Sequence, residues 1–163
     1  MTSLEGLHAD FRELIVLLTD GGVDFVIVGA YALAFHGAPR ASGDIDLFVR
    51  PEPQNAERVF QALARFGAPL DAAQVTMRDF ARPGMVYQIG LPPRRIDILT
   101  EISGVSFDEV WASRVTSELE GRAVAFIGRE ALLKNKEAAG RPQDLADVAR
   151  LRRRWRSPDE PPA

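Results

Sequence analysis

Residues 37–49 read GAPRASGDIDLFV. Pro39 interrupts the chain, Asp44 to Val49 makes an apolar run, and Pro51 and Pro53 end it, which predicts a short buried strand. Side chains at i and i+2 of a strand share one face, roughly 7 Å apart at ~3.3 Å per residue. Asp44 and Asp46 therefore aim two carboxylates at one region, while Ile45 and Leu47 face a core. Like charges so placed repel and raise each other's pKa unless something positive sits between them. A divalent cation answers that repulsion, and two cations about 3.5–4 Å apart can share both carboxylates. Carboxylates at a strand end that simply stay in water give the same pattern, so the neighbouring sequence has to decide.

Upstream, VDFVIVG reads as a buried strand, Asp24 to Val28, closed by Gly29, and AYALAFHG as a short, buried, alanine-rich helix ending at Gly37. Before them Leu4, Leu7, Phe11, Leu14, Ile15 and Leu18 form one helical stripe, with Thr2 and Glu5 at capping-box spacing and Gly21-Gly22 at its end. Downstream, Ala56, Val59, Phe60 and Leu63 mark an amphipathic helix with Pro53 near its first turn. Residues 69–80 are ambiguous. GMVYQIG (84–90) and RRIDILT (94–100) read as strands joined across Pro92-Pro93 into a hairpin. Ser106 to Ser113 reads as a short helix, RAVAFIG (122–128) as a last strand, and Arg129 to Ala139 as a helix stopped by Gly140. Pro142 then opens a final helix with the apolar stripe Leu145, Val148, Leu151 and Trp155. Helices interleaved with few, short strands predict an α/β (α+β) fold, a small mixed β-sheet flanked by helices. The expected organisation is a single domain over residues 1–156 and a disordered, proline-rich tail over 157–163.

Composition bounds the chemistry. Of 163 residues, 46% are hydrophobic and 26% charged, enough for a sizeable core under a soluble surface. The absence of cysteine excludes disulfides, thiolate metal sites and a cysteine nucleophile. Two histidines, His8 and His36, are too few for a histidine-rich zinc site, so a metal would rest mainly on carboxylates, which favours magnesium or manganese. A net charge of −3 argues against a general polyanion-binding surface and makes phosphate binding a local matter. The N-terminus has no basic segment leading into an apolar core, and no apolar run approaches ~18 residues. The expectation is a cytoplasmic protein without membrane contact.

A third carboxylate has similar surroundings: Asp97 in RIDIL faces opposite to Ile96 and Ile98. If its strand lies beside DIDLFV with the faces aligned, Asp44, Asp46 and Asp97 converge as metal ligands and catalytic groups. That makes a two-magnesium (or manganese) site for phosphoryl chemistry. Gly29, at a strand-to-helix junction, lets a phosphate approach the backbone amides of a helix N-terminus. Arg40 and Ser42 can supply a guanidinium and a hydroxyl to phosphate oxygens.

The segment FVIVGAYALAFHGAPRASGDIDLFV, with a later single aspartate, resembles the core of the polymerase-β-like nucleotidyltransferase superfamily: glycine after the first strand, about fifteen residues, Asp-x-Asp, then Asp. It is most similar to small bacterial members, the AbiEii-type toxins of toxin–antitoxin and abortive-infection systems and related minimal nucleotidyltransferases. LLKNKEAAGRPQDLADVARL resembles that group's Lys, Ala-x-Arg, Asp-Leu-x-Asp segment. The likeness covers most of residues 24–50, 94–99 and 131–151 and leaves 66–93 unmatched. The superfamily's usual Gly-Ser is Gly29-Ala30 here, and the group's threonine is Ser42.

The resemblance implies a nucleotidyltransferase fold and transfer of a nucleoside monophosphate from a nucleoside triphosphate to a hydroxyl acceptor: tRNA, protein or small molecule. It implies that Lys136, rather than Lys134, reaches the nucleotide phosphates, with Arg141 and Asp144 bordering the site. Gly29, Arg40, Ser42, Lys136, Arg141 and Asp144 then make up the nucleotide-binding set. A toxin role implies a cognate antitoxin partner. Two alternatives stand beside this reading. One is a non-catalytic regulator or antitoxin on the same fold, which Ala30 favours. The other is a small-molecule transferase of the antibiotic-modifying type, whose substrate pocket would fall in 66–93.

His36 reads as a structural, hydrogen-bonded histidine and Tyr31 as a core residue, against roles at the site or on a base. Asp144 and Asp147, near the start of the last helix, also have a plain reading as helix-terminus charges paired with nearby arginines. From Arg141 to Arg156 six arginines and two aspartates give a local charge of +4, a face for nucleic-acid phosphates or simply a solvated one.

Overall fold

The computed structural model describes residues 4–41 and 43–156. Thr2, Ser42 and the tail 157–163 lie outside the described residues. Helix α1 spans Ala9–Asp20, capped by the His8 ring nitrogen, which accepts the Asp10 N–H at 3.2 Å. The helix begins later than the apolar stripe suggests: Leu4–Gly6 forms a separate 3-10 turn, ending at a glycine, a poor helix former. Then follow β1 (Phe25–Val28), α2 (Gly29–Phe35), β2 (Ile45–Val49) and α3 (Pro53–Phe66). The ambiguous segment 69–80 ends in a 3-10 helix, Met77–Ala81, that packs on α3 and buries Phe80. Strands β3 (Val86–Ile89) and β4 (Ile96–Leu99) form the expected hairpin, followed by α4 (Phe107–Ala112). The chain closes with β5 (Val115–Leu119), β6 (Arg122–Phe126), α5 (Arg129–Ala139) and α6 (Pro142–Trp155).

The six strands form one mixed sheet in the order β3-β4-β2-β1-β6-β5, flanked by helices. Strand β5 is not foreseen by the sequence pattern. It is an edge strand paired only with β6, and of VTSEL only Leu119 is buried, so the apolar alternation of a half-buried strand is missing. The interior strands are instead covered on both faces: all four residues of β1 are buried, and in β2 only Asp46 is not. The final helix departs from its predicted stripe at one position. Leu145 is 51% exposed, and Asp144 and Asp147 take the buried positions beside Val148 and Leu151. Among the described residues no helix is long and apolar enough to cross a membrane.

Two pairings place the carboxylates. Strands β2 and β4 run parallel with Asp46 directly opposite Asp97. Strands β1 and β2 run antiparallel with Val28 opposite Asp46, so the chain leaves β1 and turns into α2 right beside that aspartate. The turn is made by Gly29 at φ +68°, and a Cβ there would collide with the Asp46 carboxylate. Glycine is required on both counts, left-handed backbone and close approach.

Candidate active site

The end of β1, the start of α2, strands β2 and β4, and helices α5 and α6 enclose a cleft of about 740 Å³. Gly29, Arg40, Asp44, Asp46, Asp97, Lys136, Arg141 and Asp144 all line it, so the sheet register and the two C-terminal helices bring together every predicted site residue that the structure describes. Ser42 lies outside the described residues. Of the unmatched segment 66–93, Val86 of β3 alone among the described residues lines the cleft.

The three carboxylates sit in different surroundings. Asp97 is buried, 7% exposed, and accepts hydrogen bonds from Arg95 Nε at 2.9 Å and Nη2 at 3.4 Å. Asp44, just ahead of β2, accepts the Arg95 backbone N–H at 3.2 Å and lies 3.2 Å from Arg95 Nη2. The pKa of Asp46 is raised from 3.8 to about 6: burial is the largest cause, followed by the Asp97 charge and hydrogen bond and then the Asp44 charge, with Lys136 partly opposing. Burial and the neighbouring carboxylates thus both disfavour its charged form. Arg95 itself is held above the ordinary guanidinium range, first by its hydrogen bond to Asp97 and then by the charges of Asp97, Asp44 and Asp46.

The opposite wall carries a second, interlocked charge network. Lys136 of α5 is buried, with Nζ 3.3 Å from Asp144 Oδ1 and 3.2 Å from Asp147 Oδ2. Arg141 clasps Asp144 in a fork, Nε to Oδ2 at 2.6 Å and Nη2 to Oδ1 at 3.2 Å. Burial pushes the Asp144 carboxyl up, but Arg141 and Lys136 outweigh it and the pKa ends lowered. Asp147 holds Arg40, whose Nε is 3.3 Å from Oδ1. That Nε is buried without a hydrogen-bond acceptor, and Asp147 Oδ2 is buried without a hydrogen-bond donor. Three cations thus face the carboxylates across the cleft, fixed by two buried acids.

Two residues of this arrangement escape the sequence reading. Arg95 is one, although its signal was present: it stands two residues before Asp97, on the same strand face. Asp147 is the other as a site element; it sits one helical turn beyond Asp144 and tethers Arg40 and Lys136. His36 has the structural role expected of it: its Nε2 is 2.7 Å from the Ile127 carbonyl, and burial lowers its pKa. Tyr31 packs edge-on against Phe11 at 6.0 Å. In the basic run, Arg152 pairs with Glu137 at 2.6 Å, whereas Arg153 and Arg154, like Arg129 at the start of α5, have no carboxylate partner among the described residues. Arg129 lies over the Trp155 ring at 4.8 Å, and with Arg154 these residues border a second cleft of about 810 Å³.

Among the described residues no three acidic or histidine side chains are already gathered as a metal-ligand group; Asp44 and Asp97 face the Arg95 guanidinium instead. In kind, the donors suit a hard divalent cation, since all are carboxylate oxygens.

Comparison with known proteins agrees with this architecture. No curated protein matches the sequence. Among solved structures, a candidate nucleotidyltransferase from Thermotoga maritima superposes with a TM-score of 0.54 at 14% identity, covering 88% of each chain, which shows the shared fold. An antigenic nucleotidyltransferase-like protein from Paracoccidioides brasiliensis gives a TM-score of 0.47 at 18% identity over 89% of this chain and 77% of its own. A family model described as nucleotidyl transferase of unknown function (DUF2204) matches residues 8–158, nearly the whole chain. The protein therefore belongs to that nucleotidyltransferase family.

Proposed function

We propose that the cleft transfers a nucleoside monophosphate from a nucleoside triphosphate to an acceptor hydroxyl. The observation that carries this reading is the in-register placement of Asp46 against Asp97, with Asp44 alongside and three cations facing them. Asp44 and Asp46 would hold two magnesium or manganese ions, and Asp97 would share the ion nearer the acceptor. When bound, such ions supply charge neutralisation for the phosphates and a lowered pKa for the hydroxyl. Asp97 is placed to receive the hydroxyl proton. Lys136, Arg40 and Arg141 orient the triphosphate by charge and hydrogen bonding, and Gly29 leaves room for a phosphate beside the start of α2. The acceptor oxygen attacks the α-phosphorus in line, the bond from that phosphorus to the bridging oxygen breaks, and pyrophosphate leaves.

A tRNA end is the acceptor best supported. Arg129 and Arg154, unpaired with any carboxylate among the described residues, border one cleft with Trp155 at the far end of α6, whose first turn borders the carboxylate cleft. A helix of 14 residues is about 21 Å long, a span that an extended nucleotide strand covers in a few nucleotides. The likeness of residues 24–50 and 131–151 to AbiEii-type toxins supports a toxin role opposed by a cognate antitoxin, in the cytoplasm. The reading is tested by incubating the protein with labelled nucleoside triphosphates, magnesium, and tRNA, protein lysate or small hydroxyl acceptors in turn. Label is expected in the tRNA; label in none of the three leaves a non-catalytic regulator as the better account.

A further inference from the structure

Among the described residues, Arg95 is the cation lining the cleft that the proposed reaction does not use. It leads into β4, two residues before Asp97 and on the same face, so it runs along the carboxylates. Its planar guanidinium reaches Asp97 Oδ1 through Nε at 2.9 Å and lies 3.2 Å from Asp44 Oδ2 through Nη2. The same residue's backbone N–H takes the other Asp44 oxygen, at 3.2 Å. One side chain therefore bridges two of the three proposed metal ligands and occupies lone pairs that a divalent cation needs.

Arg95 is also free to leave. Its side chain is 28% exposed, whereas that of Lys136 across the cleft is 6% exposed and locked between two buried acids. An exposed arginine that withdraws from a carboxylate returns its charge to water; a buried lysine that withdraws strands its partners.

We propose that Arg95 is a resident counter-cation, a positioning residue that holds Asp44 and Asp97 together without metal and competes with the divalent ion for them. The inference rests on the proposed metal-dependent reading of the same carboxylates. It makes metal entry an exchange of one cation for another, so that the carboxylates are never gathered bare.

The test is a calorimetric titration of manganese alone into the nucleotide-free full chain, comparing the unaltered protein with Arg95→Ala, Arg95→Lys, Arg94→Ala and Asp46→Asn. Arg95→Ala is expected to bind manganese about tenfold more tightly, the size of one charge-assisted hydrogen bond no longer competing. Arg95→Lys should fall between, because an ammonium keeps the charge but loses the fork that spans two carboxylates. Arg94 is exposed, so Arg94→Ala should change the affinity by less than about twofold, its charge being screened by solvent. A second readout is the melting temperature in chelator: Arg95→Ala should melt below the unaltered protein, and manganese should close the gap.

Affinity that is unchanged or weaker in Arg95→Ala overturns the inference, as does equal tightening in Arg94→Ala. If manganese binds the unaltered protein and is lost in Asp46→Asn but ignores Arg95, this inference alone falls and the proposed function stands. If manganese binds none of the proteins, both fall.

Discussion

Asparagine in place of Asp46 should make the metal-free protein more stable while removing its proposed chemistry. The buried Asp46 carboxyl ionises with a pKa of about 6 instead of 3.8, chiefly through burial and the nearby Asp97 and Asp44 charges. At about 1.4 kcal/mol per pH unit, keeping it ionised at neutral pH costs the folded state about 3 kcal/mol. Asparagine has the same shape, carries no charge, and can donate to Asp97 as the protonated carboxyl would. Side-chain relaxation and water reduce the gain, so about 1–3 kcal/mol is expected. With a urea m-value of about 2 kcal/mol/M, the midpoint should rise by roughly 0.5–1.5 M at pH 7.5 in chelator. The sign with pH follows from linkage. A carboxyl whose folded pKa is raised binds its proton more tightly when folded, so its contribution is greatest below the unfolded value and is lost as pH rises through about 6. The advantage of Asp46→Asn should therefore shrink as pH falls from 7 to 4. Magnesium should also shrink it, by stabilising only the unaltered protein. An Asp46→Asn protein less stable than the original in chelator at pH 7.5 would refute the reasoning, because it would show the carboxylate to be a net stabilising contact.

Three other substitutions probe the parts around it. Gly29→Ala combines a left-handed backbone with a collision against Asp46 and should cost about 1–3 kcal/mol in thermal or urea unfolding; unchanged stability would mean the close approach is not obligatory. Lys136→Met leaves Asp144 and Asp147 short of a buried cation, with Arg141 and Arg40 as partial compensation, and a loss of about 3 kcal/mol is expected; a neutral result would show that the arginines carry the network. The double substitution Arg129→Ala with Arg154→Ala should weaken tRNA binding measured by fluorescence anisotropy and reduce its salt slope by about 1–2; an unchanged slope would remove the far end of α6 from the acceptor surface.

Much of this arrangement was legible in the sequence because it rests on local pattern. The apolar runs flanking Asp46 and Asp97 announce interior strands, and glycine after the first strand announces the turn that Asp46 packs against. What stayed hidden depends on partners distant along the chain. Strand β5 carries polar, exposed residues and becomes a strand only because β6 offers it an edge. The buried face of α6 is misread at Leu145 because apolar residues were assigned inward, whereas Lys136 draws Asp144 and Asp147 there. Arg95 was visible as a residue but not as a bridge: its role requires that Asp44, 51 positions earlier, be delivered to its side by the parallel pairing of β2 and β4.

The central claim is that the carboxylate cleft transfers a nucleotide and not a phosphate. The direct measurement supplies nucleoside triphosphate labelled at either the α- or the γ-phosphate, with magnesium and tRNA, to the original protein and to Asp46→Asn. The account predicts that the α-label, and never the γ-label, passes to the tRNA with release of pyrophosphate, and that folded Asp46→Asn transfers neither. Transfer of the γ-label, or equal transfer by Asp46→Asn, would contradict it.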